Sequence, residues 1–112
     1  MKGGRVKGEN QNASSPADIR ERSFSFALRI VKLCQSLDAE PGPARILGRQ
    51  LLRSGTSIGA NIEEARETHY WLRLLTAADL VPATRLAPLT DEANQLIAIL
   101  TTIVKKCRRS AD

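Results

Sequence analysis

Aromatic residues make up only 4% of this 112-residue chain: two phenylalanines, one tyrosine and one tryptophan. A core so poor in rings must be filled by Leu, Ile, Val and Ala, which suits helices packed on helices. Cysteine is equally scarce. Cys34 and Cys107 are too few and too far apart for a zinc motif or a disulfide framework. Both fall in the apolar phase of their segments and are expected as buried thiols in a reducing compartment. The one histidine, His69, follows Glu67 by two positions, whereas a bundle metal site uses Glu-x-x-His. No metal or other cofactor is expected. Ser57 lies twelve residues from His69, roughly 18 Å along a single helix, so a serine nucleophile has no base in reach. With no acid–base pair or phosphate loop either, an enzyme is not expected. No apolar run approaches the ~18 residues of a membrane span, and no secretion signal is visible, which makes the cytoplasm the expected location.

What the chain does have is positive charge and helical periodicity. The net charge is +5 and the pI about 9.8, a balance compatible with RNA, DNA or an acidic protein as partner. Residues 1–14 are polar, basic and glycine-bearing, and read as a disordered N-terminal segment. The remainder, 15–109, reads as one helical-bundle domain. Ser15-Pro16-Ala17-Asp18 is a helix start. Ile19, Phe26, Ile30, Leu33 and Leu37 then recur at three- and four-residue steps, predicting a helix over about 16–38. Glu40-Pro41-Gly42-Pro43 ends it.

From Ala44 to Val81 there is no proline, and Leu47, Leu51, Ile58, Ile62, Ala65, Leu72 and Leu75 hold one phase. This predicts a single helix over about 44–80, roughly 54 Å long. Within it Ser54, Gly55, Ser57, Ile58, Gly59, Asn61 and Ile62 read as a helix-packing motif, a shaved face that another helix can approach closely. A last helix is predicted over about 85–108, with Leu86, Leu89, Ala93, Leu96, Leu100, Ile103 and Cys107 in heptad steps and Pro88 in its first turn. No strand pattern appears.

The segments Phe26–Leu33 and Gly48–Ala65, the latter containing Arg-Ser-Gly-Thr-Ser-Ile-Gly-Ala-Asn-Ile-Glu-Glu-Ala, closely resemble the bacterial four-helix bundle family named for proteins encoded in 23S rRNA intervening sequences. Glu67–Leu75 is similar to the latter half of that family's third helix, and Arg85–Lys106 to its fourth. The resemblance implies an all-α fold and ring-like homo-oligomers, some of which assist retroelement reverse transcriptases by binding protein and nucleic acid. By this resemblance roughly 20–25 residues are missing after Ala65. The expected fold is therefore a truncated four-helix-bundle type: three helices with a long fused central one, two copies pairing antiparallel in a domain-swapped dimer. The alternative is a decayed copy of the family.

Two basic groups are candidate nucleic-acid contacts. Arg45, Arg49 and Arg53 stand four apart on one helix face, a spacing that can meet successive phosphates. Lys105, Lys106, Arg108 and Arg109 cluster at the end of the last helix, where they also complement its dipole. Neither group is interleaved with aromatics, so binding led by charge rather than base stacking is expected. Glu63, Glu64 and Glu67 are expected to pair locally with Arg66 and Arg73. The competing function is a structural, protein-partner oligomerisation module that uses an apolar face.

Overall fold

The computed structural model describes residues 16–111. They form four helices: α1 Pro16–Asp38, α2 Pro43–Gly55, α3 Ile62–Ala77 and α4 Ala83–Ala111. The all-α expectation holds, and no strand occurs among the described residues. The segment 1–14 and the capping role of Ser15 lie outside the described residues.

The fused central helix is not found. Residues 44–80 fold as two antiparallel helices, α2 and α3, joined by a turn over 56–61. The turn is built from local bonds. Ser57, Ile58 and Ala60 donate their amides to the carbonyls of Ser54, Gly55 and Ser57, each three residues back. Such i→i+3 bonding tightens the chain beyond α-helical pitch. The Thr56 hydroxyl donates to the Leu52 carbonyl at 2.7 Å, occupying an acceptor at the helix end. Ile58, 1% exposed, pins the turn to the core. Asn61 is extended and its side chain accepts the Glu64 amide at 2.9 Å, the N-cap that starts α3.

The other connections are equally explicit. Gly42 adopts φ +81° and is followed by Pro43 at the head of α2, the left-handed region that glycine enters without strain. After α3, Asp79 takes φ 60° while the Leu80 amide donates back to the Leu75 carbonyl, a Schellman-type ending. Pro88 lies inside α4, because that helix begins two residues earlier than the sequence indicates.

Each helix packs on the next, and α1 closes onto α4. Phe26 and Ile30 of α1, Leu51 of α2, Leu72 and Leu75 of α3, and Leu86 and Leu96 of α4 are fully buried in one shared core. Each such side chain contributes about 1.5–3 kcal/mol by leaving water. One chain thus supplies all four helices, which removes the rationale for a domain-swapped dimer.

The glycines set the α1–α2 spacing. A Cβ on Gly48 would meet Leu37 at 3.1 Å, one on Gly55 would meet Ile30 at 2.9 Å, and one on Gly59 would meet Ser23 Oγ at 2.7 Å. The expected close approach is therefore real. It is made by the last turns of α2 and by the turn itself, not by the middle of a rod.

Candidate nucleic-acid interface

Arg45, Arg49 and Arg53 all lie exposed on the outer face of α2. Each is already engaged within the chain. Arg45 Nε donates to the Asp38 carbonyl at 3.1 Å, and Arg49 meets the Asp38 carboxylate at 3.4 Å. Arg53 is held most firmly, by Glu67 and by Glu64, the latter at 3.6 Å. Both carboxylates come from α3, so the turn at 56–61 creates this clamp. The local pairing expected for Glu64 and Glu67 is thereby corrected: they reach across to α2, and only Glu63 pairs locally, with Arg66 at 4.0 Å. The Asp38–Arg49 pair is largely solvated and contributes little to stability.

The second basic group is arranged differently. Arg22 of α1 chelates Glu92 of α4 through two bonds of 2.8 and 3.0 Å, and also reaches Gln95. With α1 and α4 antiparallel, this register places Pro16, the start of α1, at about the level of Leu100. Burial then fades along α4: Leu100 is buried, Ile103 half-buried and Cys107 exposed. Cys107 is therefore not the buried thiol expected, because α4 outruns its neighbours among the described helices. Lys105, Lys106, Arg108 and Arg109 are all exposed there, and none has an ion-pair partner among the described residues. The two basic groups are not brought together. Arg45 sits beside Asp38 at the far end of α1 from this tail, a separation on the order of 35 Å over a helix of that length.

The packing motif divides by role. Ser54 is fully buried and accepts a hydrogen bond from Thr68 at 3.0 Å. Gly55, Ile58 and Gly59 are the close-packing positions, Ile62 is half-buried, and Ser57 is exposed in the turn. Cys34 is buried, its thiol donating to the Gly48 carbonyl at 3.2 Å. Burial pushes its pKa up to about 11, so it stays a protonated packing residue. His69 is held below its ordinary pKa, first by partial burial and then by the Arg73 charge. Tyr70 and Trp71 meet edge to face with centroids 5.1 Å apart. Tyr70 is exposed and Trp71 half-buried, with the Trp71 indole donating to Glu67 at 3.3 Å. Among the described residues no cluster of His, Cys, Asp or Glu could hold a metal ion, and no helix is long and apolar enough to cross a membrane.

Two features escaped the sequence reading. The Arg22–Glu92 clamp joins positions seventy apart, and nothing local announces it. The exposed side chains Phe24 and Leu28 did leave a signal: they are large, apolar, four residues apart, and off the buried stripe of α1.

No protein-family model and no curated protein matches the chain. Among solved structures, it is similar to the 1.70 Å crystal structure of a protein of unknown function from the S23 ribosomal protein family of Bacteroides thetaiotaomicron VPI-5482. The two are 28% identical with a TM-score of 0.72, and the match covers 80% of this chain and 97% of that one. The helical architecture described above is shared with that protein.

Proposed function

We propose that this chain is a non-catalytic four-helix-bundle accessory protein of the 23S rRNA intervening-sequence type, binding nucleic acid through the basic end of α4. The carrying observation is the unpaired state of Lys105, Lys106, Arg108 and Arg109 among the described residues, on a helix end that extends past its neighbours. Cations free of carboxylates can release phosphate counterions on binding, whereas those already paired, such as Arg53, exchange one partner for another. The ribosomal family name of the similar Bacteroides protein supports an RNA-associated setting. Arg45, Arg49 and Arg53, each already bonded within the chain, contribute little.

Fluorescence anisotropy with a labelled mixed-sequence RNA hairpin and a DNA duplex, across a salt series, tests this reading. Four phosphate contacts give a log–log salt slope of about −3.6 on duplex DNA. Replacing the four tail cations by glutamine should flatten that slope and weaken binding. Arg53→Gln should change little. Binding too weak to measure at 50 mM salt would end the proposal.

A second reading is favoured by Ile46 and Tyr70, large apolar side chains more than half exposed. They suit a homo-oligomer or protein-partner contact, in which the bundle acts as an assembly module. Light scattering at micromolar concentration decides this: a stable monomer rules out self-association.

A further inference from the structure

The outer side of the α1–α2 seam is a groove, and its lining differs in character from the basic end of α4. One depression of about 350 Å³ is bordered by Val31, Cys34, Asp38, Arg45, Arg49 and Leu52. A second, of about 520 Å³, is bordered by Ile19, Arg20, Ser23, Phe24, Thr56 and Gly59. Both lie on the same seam, because the α1–α2 register runs from Leu37 opposite Gly48, through Ile30 opposite Gly55, to Ser23 opposite Gly59. Gly48 and Gly59 line the depressions at the points where α1 approaches most closely. Apolar side chains stand along this seam in water, Phe24 at 66% exposure and Leu52 at 37%, and Leu28, at 50%, lies one turn from Phe24 on the exposed side of α1.

We propose that this groove docks an acidic amphipathic helix from a partner protein. Length, polarity and charge each select that occupant. The seam follows α1 from Ile19 to Asp38, roughly 30 Å, the length of a helix of about 20 residues. Exposed apolar side chains arrayed along two packed helices match the stripe of an amphipathic helix. The charged residues of the lining are Arg20, Arg45 and Arg49 against the single acid Asp38, so the rim is cationic and complements carboxylates. The Arg45 and Arg49 contacts to Asp38 are solvated and exchange readily for a partner's carboxylates.

Other occupants fit less well. Residues 1–15 of this chain carry Lys2, Arg5 and Lys7 against Glu9 and little apolar surface, so they match neither the floor nor the rim. The end of α4 from a second copy brings four cations to a cationic rim. A nucleic acid would meet an apolar floor with Phe24 as its one ring.

The experiment uses the full chain, isotope-labelled for NMR, and two fluorescein-tagged 20-residue helical peptides. Both peptides carry the same Leu/Phe stripe; one has Glu on its flanks and the other Lys. Saturable binding of the Glu peptide is expected, with amide shifts at 24, 28, 31, 49 and 52. Phe24→Ser with Leu28→Ser should weaken it about tenfold, and Arg49→Glu should weaken it while reducing its salt dependence. Because Phe24 and Leu28 are exposed, these variants leave the core intact, and circular dichroism verifies this. The Lys105→Gln, Lys106→Gln variant should bind the Glu peptide as well as the parent does and yet lose RNA affinity, so the groove and the α4 tail fail independently. The proposal is overturned if the Lys peptide binds equally, or if the shifts map to α4 beyond Leu100. It is also overturned if an RNA hairpin shifts the seam amides, or if the parent chain self-associates and Phe24→Ser abolishes that association.

Discussion

Asn61→Ala separates the observed turn from an uninterrupted helix by the sign of one measurement. In the structure Asn61 is exposed and extended, its side chain accepts the Glu64 amide at 2.9 Å, and its carbonyl accepts the Ala65 amide at 3.3 Å. Truncation opens no cavity, since the side chain lies at the surface. It removes the one side-chain acceptor among the amides at the head of α3. Losing such a cap costs about 1 kcal/mol, within a range of roughly 0.5–2. For a domain of about 100 residues that lowers the melting midpoint by roughly 4–8 °C per kcal/mol. A helix running through position 61 predicts the reverse, because alanine exceeds asparagine in helix propensity by several tenths of a kcal/mol. A small series makes the contrast sharper. At a cap, Asp is close to Asn, Gly costs a few tenths and Ala the most; inside a helix, Ala is best and Gly worst. Urea unfolding followed by circular dichroism at 222 nm, with equal slopes across variants, gives the ordering. If Ala proves the most stable of the four, the turn described here is wrong and the central rod is restored.

Gly55→Ala should destabilise by about 1–3 kcal/mol, because the new Cβ lands 2.9 Å from a methyl of the fully buried Ile30. That penalty should shrink in an Ile30→Ala background, and a double-mutant cycle with no coupling would contradict the packing. In native protein at pH 8, a thiol reagent should label exposed Cys107 promptly. Cys34, buried with its pKa pushed up to about 11, should react only on unfolding. Lowering the pH through the histidine range should reduce stability slightly. The folded chain holds His69 below its ordinary 6.5, so the unfolded state binds more protons there and unfolding free energy rises with pH. His69→Gln should flatten that dependence in urea midpoints measured between pH 5 and 7.5.

The helical class and the core were legible because burial writes itself into spacing. The stripe Ile19, Phe26, Ile30, Leu33 and Leu37 of α1 is buried throughout, and the heptad of α4 is buried from Leu86 to Leu100. Periodicity failed at the ends of its reach. It continued through Ile103 to Cys107, and so predicted burial where α4 has no neighbouring helix among those described to bury against. Phase alone reports which side of a helix is apolar, and carries no information about whether anything lies opposite.

The turn at 56–61 was concealed for a related reason. Ile58 and Ile62 keep the phase set by Leu51, and a tight i→i+3 turn packed against the same core buries its apolar residue as a helix would. Composition pointed the other way: Ser54, Gly55, Thr56, Ser57 and Gly59 are a loop signature, and Asn61 three residues before Glu64 is an N-terminal cap signature. The resemblance to longer bundles then made a deletion look necessary, and a deletion required fusion. Local chemistry resolves the conflict in favour of composition. The clamp of Arg53 by Glu64 and Glu67, and the buried Thr68–Ser54 hydrogen bond, exist only if α3 folds back along α2. In a straight helix Arg53 and Glu67 would stand roughly 21 Å apart. The same turn supplies Thr56 and Gly59 to the wall of the groove beside Phe24, at one end of the seam between α1 and α2, whose pairing is set by the bend at Gly42. The Phe24 end of the groove therefore depends on the turn that the Asn61 cap closes, whereas the Leu52 end belongs to α1 and α2 alone.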